Sequence, residues 1–207
     1  MIIEQLQDIT LIHGDCLPFM RTLPDKAFSL AIVDPEFGIG ISKSPRLVTD
    51  KGEKAKEWDN KPVDASYFKE LFRVSENQII WGGNYFELPA NKHCLIWDKV
   101  QPETLSFGMF DYAWTSFNGS NKIFRYSVQL EKDKIHECQK PVQLYKWLLK
   151  NYAKEGDTIL DTHLGSGSSA IAAHDGHFKF TGIELDADYY EAAKKRIAFH
   201  QRQQNLF

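Results

Sequence analysis

"ILDTHLGSGSSAIAA" (Ile159–Ala173) carries a run of β-forming residues that stops at Asp161. Gly165-Ser166-Gly167 follows, and then a series of small and apolar residues suited to a helix. A strand, a glycine turn and a helix in this order have the geometry of a nucleotide cradle, because the glycines let the backbone turn tightly and approach a ligand closely. Glu184 ends the next strand, "TGIELD" (Thr181–Asp186), about 20 residues beyond the glycines, where a ribose-hydroxyl acceptor belongs in dinucleotide-binding folds. The Gly-x-Gly-x-x-Ala pattern alone suits an ordinary strand-to-helix turn equally well. Joined to Glu184 it favours a nucleoside-bearing cofactor. NAD and S-adenosylmethionine both present a ribose to such an acid, and the motif does not separate them.

Its position in the chain is more informative. A dinucleotide fold usually opens with its glycine loop, whereas this one lies near the C-terminus. The upstream strands "DITLIHGD" (Asp8–Asp15) and "SLAIVDPEFGIG" (Ser29–Gly40) must then complete the same sheet, which is a circularly permuted arrangement. The second of these ends in an acid, a rigid proline, a second acid, an aromatic ring and two glycines. In a parallel sheet the carboxyl edge is where ligands sit.

Elsewhere, "DASYFKELFRVSE" opens with Asp64 as a helix N-cap, and "KPVQLYKWLLKNYA" places Pro141 at the start of a helix. "NQIIWGG" and "HCLIWD" read as buried strands, "FDYAWTSFN" and "KIFRYS" as alternating, antiparallel ones, and "ADYYEAAKKRIAFHQR" as a closing amphipathic helix. Strands alternating with helices argue for α/β with a mostly parallel sheet. The rhythm breaks in the aromatic-rich stretch 85–130, the candidate for a small target-recognition elaboration. Residues 38–62, rich in Gly, Ser, Pro, Lys and Asp, form a long loop of the kind that serves as a mobile active-site lid.

The totals fit one domain over 1–207: 43% hydrophobic and 26% charged residues, with a net charge of -3. No run approaches a membrane span, and the N-terminus lacks a signal-peptide pattern. Cys16, Cys94 and Cys138 suit neither a disulfide framework nor a zinc site, so an intracellular, cytoplasmic, reducing setting is expected. The charge does not advertise nucleic acid, yet binding needs only a local basic face. Two stretches supply candidates: "KSPRLVTDKGEKAK" (Lys43–Lys56) and "NKIFRYS" (Asn121–Ser127), each equally readable as a solvated loop. His174 and His177 in "HDGH" read as a polar turn rather than a metal site.

Five segments together resemble the β class of amino-group DNA methyltransferases, in which the catalytic motif precedes the cofactor motif. They are "GDC" (Gly14–Cys16), "DPEF" (Asp34–Phe37), "HECQKPV" (His136–Val142), "DTHLGSGSSA" (Asp161–Ala170) and "GIELD" (Gly182–Asp186), in the family's order. "NQIIWGGNYF" and "YAWTSF" are similar to phage or prophage members. The resemblance implies a Rossmann-like class I S-adenosylmethionine-dependent methyltransferase fold, circularly permuted, with helices on both faces of a mostly parallel sheet. Double-stranded DNA would be the substrate, with a homodimer by analogy, and no partner nuclease or target sequence is legible. Phe37 would stack on a flipped base, while Asp34 and the Pro35 carbonyl would accept hydrogen bonds from its amino group. Asp rather than Ser at the start of this motif points to adenine N6, with cytosine N4 as the alternative. Asp15 would meet the cofactor adenine with Cys16 beside it. Gly165 and Gly167 would admit the methionine portion, and Glu184 would take the ribose hydroxyls. Asp161, His163 and Leu185 fall in the same cofactor segments. Lys140 lies in the segment that closes over the cofactor, where charge compensation and helix capping are equal readings. Lys43, Arg46, Trp58, Lys122 and Arg125 are the candidate DNA contacts.

The chain departs from the family's usual Asp-Pro-Pro-Tyr at two places. Phe37 keeps the stacking face. Glu36 removes a proline that would stiffen the loop aiming Asp34, and sets a second carboxylate beside the first. Like charges there are expected to weaken the approach of phosphates and to raise the pKa of one acid. Glu137 stands where proline is common and His163 where phenylalanine is. Three alternatives follow: a catalytically weak relative that binds DNA or cofactor, a nicotinamide-dependent oxidoreductase, and a methyltransferase acting on a small molecule.

Overall fold

In a computed structural model, residues 1–39, 62–104, 108–130, 135 and 138–204 are described. They form β1 (Ile2–Leu6), β2 (Ile9–His13), α1 (Cys16–Arg21), β3 (Phe28–Val33), α2 (Ala65–Val74), β4 (Ser75–Trp81), β5 (Cys94–Asp98), β6 (Phe110–Thr115) and β7 (Lys122–Arg125). Then come α3 (Val142–Tyr152), β8 (Thr158–Asp161), α4 (Ser168–Asp175), β9 (Lys179–Glu184) and α5 (Ala187–Gln204). All nine strands belong to one sheet in the order β1-β2-β9-β8-β3-β4-β6-β5-β7. Only β1 and β6 run against the others.

Alternation along the central strands assigns each side chain to a face. Leu30 and Ile32 of β3, with Ile79 and Trp81 of β4, pack beneath α3, α4 and α5. Ala31 and Val33, with Ile80, pack against Met20 of α1 and the stripe Tyr67, Phe68, Leu71 and Val74 of α2. Each fully buried Leu, Ile or Val contributes about 1.5–3 kcal/mol, so both faces must be covered for the sheet to stand. Helices therefore cover both faces, as the resemblance implies. The Asp64 cap is present too: its carboxylate accepts from the Ser66 and Tyr67 backbone N–H groups.

Three features differ from the sequence reading. "MIIEQL" adds an antiparallel edge strand, turning back to β2 through Gln7 at a positive φ of 55°. "KIFR" pairs parallel with β5, not antiparallel. Pro141 stands at the N-cap of α3, one residue ahead of the helix, where its missing N–H still leaves no gap. Strands of the 85–130 stretch extend the same sheet past β4.

The chain leaves β3 through α2 toward β4 on one side, and leaves β8 through α4 toward β9 on the other. The switch point thus falls between β8 and β3, the place where open α/β sheets bind ligands. Register makes the consequence specific. Ala31 lies beside Leu160, so Asp34 and His163 leave the sheet side by side; Val33 lies beside Ile80, which brings Asp34 level with Trp81.

Candidate active site

A cavity of about 640 Å³ opens at this edge, within the usual range for small-molecule sites. Its walls come from the ends of β2, β3, β8 and β9, with Tyr67 of α2 and the segment before α3. Asp15, Cys16, Asp34, Pro35, Phe37, Lys140, His163, Gly165, Glu184 and Leu185 all line it. Asp161 and Gly167 stand behind the wall and shape it.

On the β8–β9 side almost every polar group is already engaged. Gly165 has a φ of 52° and donates its N–H to Glu184 Oε2 at 2.8 Å, while the Asp186 N–H reaches Oε1 at 2.9 Å. Burial raises the Glu184 carboxyl above its ordinary value despite these donors. Asp161 is 2% exposed and accepts from the His163 N–H at 3.0 Å and the Ser169 hydroxyl at 2.6 Å. Burial pushes its pKa up to about 6. Gly167 has a φ of 74°, and a Cβ there would lie 3.0 Å from Ile197 Cδ1, so any other residue would be strained and would press on α5. Asp15 caps α1 through the Leu17 N–H at 2.9 Å. The neighbouring Cys16 thiol is pushed up to about 12, chiefly by burial and then by Asp15, Glu36 and Glu184, which leaves it a packing group rather than a nucleophile. Leu185, 66% exposed, forms an apolar rim.

The β3 side is different. Lys140 is 6% exposed, and its ammonium donates to Asp34 Oδ2. It also lies 3.9 Å from Asp111 Oδ2 and 5.4 Å from the centre of the Trp81 ring. Burial alone would lower the Lys140 pKa, but Asp34 and Asp111 raise it. Lys140 is therefore a charge partner of Asp34. Pro141, not Lys140, holds the cap position of the helix. The other carboxylate oxygen, Asp34 Oδ1, is buried and has no hydrogen-bond partner among the described residues. A buried acceptor left in this condition costs about 1–3 kcal/mol unless a ligand completes it.

Phe37 rests on Gly82, whose φ is 67°; a Cβ there would come within 2.1 Å of the ring. Its ring stacks on Tyr85 at 4.9 Å between centroids, with 16° between planes. Tyr85 is half exposed.

Glu36 and His163, the two departures singled out in the sequence, meet each other. His163 Nε2 lies 3.0 Å from Glu36 Oε2. Burial pushes the Glu36 carboxyl up, yet His163 more than offsets this and holds it below the ordinary carboxylate range. The histidine shows the converse: burial lowers it, and Glu36 raises it on balance. The expectation that Glu36 raises the pKa of an acid through unrelieved like charge is thus corrected for Glu36 itself, because a cation faces it.

Sequence reasoning missed Tyr67, whose hydroxyl meets Thr162 Oγ1 at 2.6 Å, while Thr162 Oγ1 reaches His163 Nδ1 at 2.9 Å. In the helical stripe of α2 nothing sets Tyr67 apart from its apolar neighbours. Asp111, Trp81 and Gly82 are also brought to the site only by register. Of the candidate DNA contacts, Lys43, Arg46 and Trp58 lie outside the described residues, as do His136 and Glu137. Lys122 opens β7 and donates to Asn151 at 3.0 Å; Arg125 closes it, 70% exposed and 3.1 Å from Asp98. The parallel register puts Arg125 on the cavity's edge of the sheet and Lys122 toward the opposite edge.

The chain is 25% identical over 239 residues to the type II methyltransferase M2.DpnII of Streptococcus pneumoniae, covering 90% of this chain and 88% of that protein. Two solved structures share the fold. M1.HpyAVI in complex with SAM superposes with a TM-score of 0.59 at 18% identity, covering 91% of this chain and 98% of that one. The cytosine-N4-specific PvuII DNA methyltransferase gives 0.59 at 14% identity, covering 94% and 92%. Residues 41–195 match the sequence model of the N6_N4_Mtase DNA methylases, and the chain belongs to that family.

Proposed function

We propose that the chain transfers a methyl group from S-adenosylmethionine to adenine N6 of a base flipped out of double-stranded DNA. The observation that carries this reading is Asp34: a carboxylate anchored through one oxygen by Lys140, with the other buried and unpartnered, in one cavity with a glycine loop and a ribose-type acid. S-adenosylmethionine supplies the electrophilic methyl. The residues suit it: Glu184 keeps lone pairs for ribose hydroxyls after ordering the loop, Gly165 leaves room for the methionine portion while Gly167, which faces α5 and not the cavity, shapes the loop from behind, and Asp15, Cys16 and Leu185 offer a polar and apolar seat for the adenine. Asp161 holds the loop in that shape, accepting from the His163 backbone N–H and the Ser169 hydroxyl.

The rest is positioning. Extruding the target costs a few kcal/mol, and stacking on Phe37 returns about 1–3 kcal/mol. Asp34 Oδ1 and the Pro35 carbonyl accept the amino N–H bonds, which turns the nitrogen lone pair toward the methyl. As positive charge develops on the nitrogen, the fixed acceptors stabilise it, and Oδ1 receives the proton the nitrogen then sheds. Lys140 keeps the carboxylate in one rotamer throughout. Arg125, on the cavity's edge of the sheet, is a candidate phosphate contact; Lys122 lies toward the opposite edge and donates to Asn151.

Asp at the head of the motif favours adenine; methylation of cytosine N4 is the second reading. Pairing of Glu36 with His163 supports an active enzyme over a disabled relative, since the extra carboxylate is balanced. Transfer of labelled methyl to unmethylated duplex DNA, followed by hydrolysis to nucleosides, tests both points. Label on N6-methyladenine is expected. Label on N4-methylcytosine would replace the base assignment, and transfer only by Glu36→Pro would mean that Glu36 disables the chain.

A further inference from the structure

Asp34 and His163 leave adjacent parallel strands at the same level, and Glu36 reaches across to the imidazole at 3.0 Å. The two side chains come from the two loops that hold opposite halves of the reaction. Glu36 sits two residues past the amino-group acceptor, and His163 sits two residues before Gly165 in the cofactor loop. Both are mostly buried, at 24% and 15% side-chain exposure, and both line the cavity. The imidazole is braced from behind: Nδ1 meets Thr162 Oγ1 at 2.9 Å, and that oxygen meets the Tyr67 hydroxyl of α2 at 2.6 Å. The Val63 N–H reaches the Glu36 carbonyl at 3.4 Å, near the limit for a hydrogen bond.

From this geometry we infer that Glu36 and His163 are paired positioning residues, a strut that fixes the distance between the amino-group acceptor Asp34 and the methyl-donor loop. The inference rests on the methyl-transfer reading above. In-line transfer tolerates little slack between donor and acceptor, and a displacement of about 1 Å can cost about a hundredfold in rate. A strut acts on that distance and not on the affinity for either substrate. Its removal therefore lowers kcat and leaves both KM values nearly unchanged.

The strut also carries a pH signature. It holds while Glu36 is ionised and His163 protonated, the states their mutual contact favours. As pH rises through the elevated His163 pKa the imidazolium is lost, so kcat falls on the alkaline side. The other groups around the imidazole are Asp161 on β8, Glu184 at the end of β9, Cys16 on α1, and Tyr67 on α2 through Thr162. Burial keeps the Cys16 thiol at about 12 and Tyr67 well above its ordinary value, so neither titrates in this window. Asp161, at about 6, and Glu184, raised by burial, contribute on the acid side instead.

The experiment compares Glu36→Gln, His163→Gln and the double variant in steady-state methyl transfer across pH, together with NMR titration of the His163 ring. Each single variant should lose about tenfold or more in kcat with less than about threefold change in either KM, and the double variant should be no worse than the poorer single. In Glu36→Gln the alkaline limb should move to lower pH, because the partner that raises His163 is gone and burial prevails. Additive losses, effects confined to KM, or an unmoved limb would overturn the strut. Should no chain transfer methyl to DNA, the ring titration still decides. A His163 pKa that drops in Glu36→Gln keeps the pair and discards the reaction assigned to the site; one that stays put discards the pair.

Discussion

The two halves of the cavity are built on opposite principles. On the β8–β9 side, Asp161 and Glu184 are satisfied by N–H groups of the glycine loop and of Asp186 and by the Ser169 hydroxyl of α4, and glycines at positive φ set the loop's shape. On the β3 side a buried cation grips one oxygen of Asp34 while the other has no partner among the described residues, and Phe37 leans on a glycine beneath a half-exposed tyrosine. A cradle whose hydrogen bonds close internally holds its form before anything binds. An acceptor left open in a buried place is completed only by what enters. The first half is suited to a cofactor shared by every turnover, the second to a nucleotide that must come and go.

Removing Lys140 should break this contrast most severely. Lys140→Met leaves Asp34 without its cation, and kcat should fall by about a hundredfold or more, as when a charged, positioned group is lost from a water-poor site. Stability should also drop, by less than the about 3–5 kcal/mol typical of a fully buried pair, because Asp34 keeps 22% exposure. Urea denaturation at neutral pH reads the second effect independently of the first.

Gly82→Ala should sharpen the picture on the nucleotide side. The added methyl occupies the place of the Phe37 ring and strains a residue at a φ of 67°, so Phe37 must move. KM for DNA should rise by about tenfold, the equivalent of losing about 1.4 kcal/mol of base stacking, while cofactor affinity measured by calorimetry stays within about twofold. Gly167→Ala tests the other half. Its φ of 74° and the 3.0 Å approach to Ile197 should lower stability by about 1–3 kcal/mol and weaken cofactor binding. A thermal melt with and without S-adenosylmethionine would show both. The smallest effect belongs to Arg125→Ala at the edge of the sheet. One phosphate contact fewer should flatten the dependence of log affinity on log salt by about 0.9 for duplex DNA, with kcat preserved.

Much of the cofactor half was legible in the sequence because its signals are local. A strand, two glycines, a helix and an acid at the next strand end fall within one short stretch, and each has a backbone reason to be there. The Asp64 cap was legible for the same reason. What escaped depends on contacts between distant segments. Lys140 and Asp34 meet because the segment before α3 crosses the end of β3, and no spacing encodes that. Glu36 and His163 each looked anomalous alone, and only the register of β3 against β8 makes them one feature. The direction of β7 followed from its pairing with β5 rather than β6, which alternation cannot decide. In β1, exposed Ile2 and Ile3 carry no burial pattern to read.

The account turns on Asp34 Oδ1 as the acceptor of the target amino group. The most direct test is a single-turnover transfer assay on duplex DNA with saturating S-adenosylmethionine, comparing the chain with Asp34→Asn, alongside calorimetric cofactor binding for both. Asn keeps the shape but presents a neutral amide to Lys140 and to the amino group. A loss of transfer of about a thousandfold or more, with cofactor affinity within about threefold, is the predicted result. Transfer within tenfold of the parent chain, or a parallel collapse of cofactor binding, would contradict it.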